Sequence, residues 1–154
     1  MTATILRRAT AADQPAITAL IRQAGLNPLG LDWRRFIVAD ADGRMVGTGQ
    51  VKLHGDGVRE LASIAVAPDR QGAGIGGAIV TTIISLTPTP LYLYCADHNE
   101  RYYLSFGFRP LARAEMPRSL RGISWIGNTL LHMIALVTGE PRRLVVMRHE
   151  GDAA

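Results

Sequence analysis

Cysteine is almost absent from this 154-residue chain. The lone Cys95 has no internal partner, which excludes a disulfide-stapled secreted scaffold and a cysteine zinc cluster and fits a reducing, intracellular setting. Lysine is equally scarce. Lys52 is the single one, so nearly all of the 17 basic residues, set against 13 acidic ones, are arginine. Those arginines are scattered, paired only at Arg7-Arg8, Arg34-Arg35 and Arg142-Arg143, and aromatics make up 6% of the chain, so no basic run with interleaved stacking rings is present. A solvated basic surface is the reading, and nucleic acid is not the expected partner. Long apolar runs are missing too. Arg7 and Arg8 have no hydrophobic stretch behind them, so Met1 to Arg8 does not read as a secretory signal, and the expected location is the cytoplasm. The most apolar stretch, Ile123 to Val137, falls short of the ~20 residues that span a bilayer. His98, His132 and His149 form no ligand spacing, and no metal is expected.

What is present suffices for a core. With 47% hydrophobic residues, a chain of this length buries about 70% of its unfolded surface without staples, and one domain over residues 1–154 is expected. Thr4 to Ala9 is compatible with a strand. Thr10-Ala-Ala-Asp13 reads as a capping box, and Ile17, Leu20, Ile21 and Ala24 have helical spacing, which predicts a helix from Ala11 to Ala24 stopped by Gly25. Phe36 to Ala39 and Met45 to Leu53, joined by the turn Asp40-Ala-Asp-Gly43, predict a hairpin. Gly55-Asp56-Gly57 turns into a further strand, Val58 to Ala67, which Pro68 ends. Ala78 to Leu86 predicts a helix whose β-branched residues need burial to favour it. Leu91 to Cys95 predicts a buried strand, Asn99 to Phe106 a helix with Gly107 as its stop, and Phe108 to Leu111 a strand. Residues 112–143 are too long for a simple connection and predict a helical insertion, with a helix over Ile123 to Val137, before a closing strand, Leu144 to Met147, and a frayed tail, Glu150 to Ala154. Strands alternating with helices call for a sheet with helices on its faces.

The most informative stretch runs from Ala65 to Ile79: an apolar strand, a turn with four glycines, then a helix. Glycines let a backbone approach a ligand, and successive N–H groups at a helix start bind phosphate without a basic side chain. Gly72-x-Gly74-x-x-Gly77 has the spacing of a dinucleotide fingerprint, but no βαβ unit opens the chain, and no Gly-Lys-Ser/Thr follows to make a P-loop.

In a second frame, Gln71-Gly72-Ala73-Gly74-Ile75-Gly76 resembles the Gln/Arg-x-x-Gly-x-Gly/Ala signature of the GNAT superfamily of N-acetyltransferases. Ile64-Ala-Val-Ala-Pro68 before it and Tyr102-Tyr103-Leu-Ser-Phe-Gly107-Phe108 after it are similar to the family's flanking elements, and the resemblance covers roughly Thr4 to Leu111 plus the closing strand. Met116-Pro117 and a late Val-Met pair are also similar to short amino-acid N-acetyltransferase-like members.

The resemblance implies an α/β fold with a mixed, mostly antiparallel sheet flanked by helices and splayed between its fourth and fifth strands. It implies acetyl-CoA as acetyl donor and direct transfer to a primary amine, with an amino acid or other small amine as acceptor and a possible homodimer as assembly. The amides of Gln71, Gly72, Ala73, Gly74, Ile75, Gly76 and Gly77 would hold the pyrophosphate. The backbone of Ile64, Ala65 and Val66 would pair with pantetheine, and Val66 N–H would polarise the thioester carbonyl. Tyr103, four residues before Gly107, matches the acid that protonates the leaving thiolate; the plainer reading is a ring packed beside Tyr102. Glu60 matches a common general-base position, against an exposed carboxylate paired with Arg59 or Lys52, and His54 is the runner-up base, otherwise decorating a turn. The family's cofactor-contacting Asn falls on Ala96, so Asp97 or Asn99 stands in for it or neither does. Cys95, in an apolar strand, reads as a small buried hydrophobe. Arg22, Arg35 or Arg121 is a candidate to hold an acceptor carboxylate. The segment with Trp125, Leu130, Leu131 and Met133 is a lid, an apolar acceptor site or a dimer contact. Two other readings stand beside this one: a non-catalytic acyl-CoA sensor, and an acetyltransferase acting on aminoacyl-tRNA or protein.

Overall fold

The computed structural model describes residues 3–140 and 142–151; the end of the expected tail, residues 152–154, lies outside them. It has seven strands and four α-helices, mixed in order and mostly antiparallel in pairing, as the α/β reading expects. They fall into two compact units, Met1–Lys52 with Leu61–Thr87, and Leu53–Glu60 with Pro88–Ala154.

The first unit holds β1 (Ile5–Arg8), α1 (Gln14–Gln23), β2 (Phe36–Ala41), β3 (Arg44–Leu53), most of β4 (Arg59–Val66) and α2 (Ile75–Leu86), with strands in the order β1-β2-β3-β4. The pairs β1 with β2 and β2 with β3 are antiparallel, the second being the expected hairpin. The Thr10–Asp13 box is present: the Asp13 carboxylate accepts from Thr10 N at 2.7 Å and from Thr10 Oγ1 at 2.9 Å. It opens a 3-10 turn, Ala11–Asp13, and the α-helix begins only at Gln14, three residues later than expected, with Pro15 in its first turn. That carboxylate also takes a two-pronged bond from Arg7, which sets the turn against β1.

The position of α2 is set by β3. Its sequence Gly47-Thr48-Gly49-Gln50 alternates glycines on one face with polar residues on the other. A Cβ at Gly47 would lie 2.9 Å from Ile75 and Ile79, and one at Gly49 would lie 2.6 Å from Ile64 and Ile79, so only glycine lets the helix sit this close. Ile75, Ile79, Val80 and Ile83 are buried there, and this burial offsets the weak helix propensity of their branched side chains.

The second unit holds β5 (Leu91–Ala96), α3 (Glu100–Leu104), the two-residue β6 (Arg109–Pro110), α4 (Arg118–Thr138) and β7 (Leu144–His149), with strands in the order β5-β7-β6. β7 pairs antiparallel with both neighbours. The register sets Leu93 opposite Met147 and Cys95 opposite Val145 on one face, and Tyr94 opposite Val146 on the other. The first face carries Phe108 through its contact with His149; the second packs Leu111, Leu120 and Met116. Three expectations shift in length. α3 is shorter than Asn99 to Phe106, Phe108 is a buried anchor before β6, and α4 starts directly after Pro117, five residues before Ile123.

Candidate functional site

In the first unit the strand-to-helix passage is built from backbone. β4 ends at Val66, a 3-10 turn covers Pro68–Arg70, and Gln71 folds its side chain back so that Nε2 donates to Val66 O at 3.3 Å. Gly72 and Gly74 both have φ +78°, a conformation that favours glycine, and nothing lies within 4 Å of a Cβ built on either. Gly74 is the N-cap of α2, and the first helical bond runs from Ala78 N to Gly74 O. The amides of Ile75, Gly76 and Gly77 therefore end the helix without a side-chain cap and without an acidic residue in the first turn. The helix starts three residues before the expected Ala78, so Ile75, Gly76 and Gly77 belong to its first turn. An open, uncapped helix start of this kind fits a pyrophosphate group.

Upstream of the turn, β4 carries a feature that the sequence did not announce. Ser63 has φ +58° inside the strand, which costs on the order of 1–3 kcal/mol for a non-glycine residue. Two buried residues of β3 hold it: Thr48 Oγ1 donates to Ser63 O at 3.1 Å, and Gln50 Nε2 donates to Ser63 Oγ at 2.7 Å. The kink re-aims the residues that follow, Ile64, Ala65 and Val66. Ala67 N donates to Val46 O of β3 at 2.8 Å. Successive amides of an extended chain point to opposite edges, so Val66 N–H is directed away from β3.

In the second unit, Tyr103 lies on α3, half-buried, with its ring edge-on to Phe108 at 6.1 Å and to Tyr102 at 5.1 Å. Its hydroxyl makes no hydrogen bond among the described residues. Burial, then the neighbouring Tyr102 and Cys95, push the hydroxyl up to about 12, so it stays protonated at neutral pH and able to donate. Gly107 (φ +85°) closes this helix, and His149 would lie 3.2 Å from any Cβ there.

Glu60 and His54, read separately from the sequence, form one pair. Glu60 is only 8% exposed and lies 2.6 Å from His54 Nε2 through Oε2. This corrects the alternative that Glu60 is an exposed carboxylate paired with Arg59 or Lys52, and the one that His54 only decorates a turn. The short hairpin from His54 to Val58, closed by His54 N donating to Val58 O at 2.8 Å, brings the two together. Burial, then the charges of Glu60 and Asp56, hold the Tyr94 hydroxyl well above its ordinary value. Asn99 is exposed at the end of a 3-10 turn and its side chain caps nothing. Cys95 is buried, its thiol pushed up to about 11 by burial and then by Glu100 and Asp97, which makes it inert at neutral pH.

The same unit contains a cavity of about 280 Å³ with an apolar floor from Leu111, Met116 and Val146 and a rim bearing Arg113, Arg121 and Arg143. No carboxylate lines it, and none of the three guanidiniums is ion-paired among the described residues. Also among the described residues, no group of three or more His, Cys, Asp and Glu side chains could hold a metal ion, and no helix is long and apolar enough to cross a membrane.

A strand running into an uncapped glycine-started helix is a geometry suited to a phosphate-bearing ligand. The family model for the acetyltransferase (GNAT) domain matches residues 32–110, about half of the chain, and the chain belongs to this family. GNAT domains take acetyl-CoA as their acetyl donor. No curated protein sequence matches the chain. Among solved structures, N-acetylglutamate synthase from Neisseria gonorrhoeae, complexed with coenzyme A and L-arginine, is 20% identical with a TM-score of 0.73 over 97% of this chain and 34% of that one. The chain thus spans about a third of the length of that synthase. Rv2747 from Mycobacterium tuberculosis, in complex with CoA, is 22% identical with a TM-score of 0.70, covering 96% of this chain and 99% of that one. The ribosomal-protein-S18-alanine N-acetyltransferase from Escherichia coli is 19% identical with a TM-score of 0.68, covering 99% and 96%. At these identities the likeness is one of fold.

Proposed function

We propose that this protein moves an acetyl group from acetyl-CoA to the primary amine of a small molecule by direct attack, with a carboxylate-bearing amine such as an amino acid as the acceptor class. The observation that carries the proposal is the open, uncapped start of α2 after the paired left-handed glycines Gly72 and Gly74. Acetyl-CoA supplies the acetyl group in activated form, as a thioester. The amides of Gln71 to Gly77 hold the pyrophosphate, and the backbone of Ile64 to Val66 aligns the pantetheine arm as an added strand. Val66 N–H, directed away from β3, donates to the thioester carbonyl oxygen as charge builds on it. Glu60, buried and tied to His54 at 2.6 Å, takes up the proton that the attacking ammonium must lose. Tyr103, neutral at working pH with an unengaged hydroxyl, gives a proton to the departing sulfur. Asn99, exposed and without a capping bond, is left to contact the donor.

The acceptor class rests on the cavity in which Arg113, Arg121 and Arg143 stand over an apolar floor with no acid among them. The solved synthase supports the same choice, because its name couples this fold to acetylation of an amino acid. Following free thiol release from acetyl-CoA over a panel of amino acids, polyamines, arylamines and aminoacyl-tRNA tests the proposal. Release with an amino acid, weakened by Arg121→Ala through a higher KM, supports it. Release only with polyamines or tRNA would overturn the acceptor class, and no release with any acceptor would favour an acyl-CoA sensor.

A further inference from the structure

α4 faces the wrong way for a helix that ends its packing within one chain. Its inward side, against β7, is made of Leu120, Ser124, Gly127, Asn128 and Leu131, small or polar for the most part. Asn128 works there like a strand edge: Oδ1 accepts from Leu144 N at 2.8 Å and Nδ2 donates to Leu144 O at 3.3 Å. Gly127 allows that approach, since a Cβ would lie 2.9 Å from Leu144. The large apolar side chains lie on the solvent side instead, with Ile123, Ile126, Leu130 and Met133 between 45% and 63% exposed.

Those four recur at intervals of three, four and three residues, the spacing of a seam that meets another helix. Between Gly122 and Gly139 the sequence has no Asp, Glu, Lys or Arg, so nothing along the stripe repels an identical stripe. With Trp125 and Leu136, exposed further round the helix, the outward side presents on the order of 700 Å² of apolar surface per copy, so a pairing that buries most of it in both copies reaches the lower part of the range of about 1,200–2,000 Å² of a stable interface. A single-copy patch of that size exceeds what soluble monomers ordinarily leave bare. We infer that this face is covered by the same face of a second copy of the chain, α4 against α4, in a two-fold symmetric dimer. The inference is independent of the acetyl-transfer reading.

Light scattering on the full chain during size exclusion, over a tenfold concentration series, should give twice the 16.7 kDa chain mass. The double variant Ile126→Glu with Leu130→Glu should elute at the single-chain mass while keeping the wild-type circular dichroism spectrum. Should that variant fail to fold, Ile126→Cys with Leu130→Cys decides: the two flank the midpoint of the stripe, so each faces its own copy if the helices run parallel and they face one another if antiparallel, and mild copper-phenanthroline oxidation should give a covalent dimer. Buried Cys95 provides the unreactive background in the wild type. A wild-type protein that stays at the single-chain mass throughout, a dimer that survives both glutamates, or a single-chain species that co-sediments with phosphatidylcholine–phosphatidylserine vesicles through α4 would overturn the inference.

Discussion

Replacing Gly74 by glutamate should separate the stability of the helix start from its capacity to hold a phosphate. Two terms act on folding. A side chain at φ +78° is strained by roughly 1–2 kcal/mol, and since nothing lies within 4 Å of the new Cβ, no clash adds to it. The carboxylate, in turn, caps the bare amides of α2 and returns about 0.3–1 kcal/mol through the helix dipole. The net loss is about 1 kcal/mol, a drop in Tm of roughly 2–4 °C for a chain of this size. Binding responds on a larger scale. The carboxylate occupies the amides that acetyl-CoA needs and repels its pyrophosphate, so losing two charge-assisted bonds at about 1.5–3 kcal/mol each weakens Kd by about 10²–10⁴-fold. Isothermal titration with acetyl-CoA reads the second effect and thermal unfolding the first. Gly74→Asn serves as the control, because asparagine tolerates left-handed backbone without adding charge; its affinity should stay near wild type. A Gly74→Glu protein that is folded and binds acetyl-CoA within threefold of wild type would refute the assignment of these amides to the phosphates.

Tyr103→Phe should lower kcat by about 10²-fold or more with little change in acetyl-CoA affinity; an unchanged kcat removes its role as acid. Because the Tyr103 hydroxyl is pushed up to about 12, its ionisation should put no falling limb into the rate profile below about pH 10. The stability it contributes is fully present below the ordinary tyrosine range and is lost as pH rises from there towards 12, which alkaline unfolding of Tyr103→Phe against wild type would show as a smaller loss. Glu60→Gln, which keeps a polar partner for His54, should reduce kcat while leaving Tm within a few degrees, and His54→Ala should cost about 1–3 kcal/mol by leaving a buried carboxylate unpaired; equal kcat in Glu60→Gln and wild type would exclude the base. Gly49→Val, with its Cβ 2.6 Å from Ile64 and Ile79, should destabilise by at least about 1–3 kcal/mol and weaken acetyl-CoA binding as α2 is pushed off β3, both measurable by thermal unfolding and titration.

The parts legible in the sequence were those written in local chemistry. The Thr10–Asp13 box, the hairpin turn and the glycine stop at Gly107 each specify their conformation from within a few residues; the box and the stop lie where expected, while the turn expected over Asp40–Gly43 tightens to Asp42-Gly43, with Asp40 and Ala41 paired in β2. The bounds that moved did so under longer-range pull. α1 begins late because Asp13 answers Arg7 as well as Thr10, and α4 begins early because Pro117 and Gly122, which look like breakers, are tolerated at a helix start and on an exposed turn. At the candidate site, the glycine cradle was readable because φ of +78° leaves a mark in residue type. Ser63 leaves none: its kink exists because Thr48 and Gln50, more than a dozen positions earlier, hold it, and serine in a strand announces nothing. The His54–Glu60 pair is not legible as a pair for a similar reason, since a carboxylate and an imidazole six residues apart meet only when the intervening chain closes as a hairpin. The outward apolar face of α4 was visible as composition, but which side faced β7 depended on Asn128 finding Leu144.

Titrating the purified protein with acetyl-CoA by calorimetry tests the central claim most directly. The account requires saturable binding at one site per chain that is weakened about a hundredfold or more by Gly74→Glu and spared by Tyr103→Phe. Absence of binding to the wild-type protein, or binding indifferent to Gly74→Glu, would contradict it.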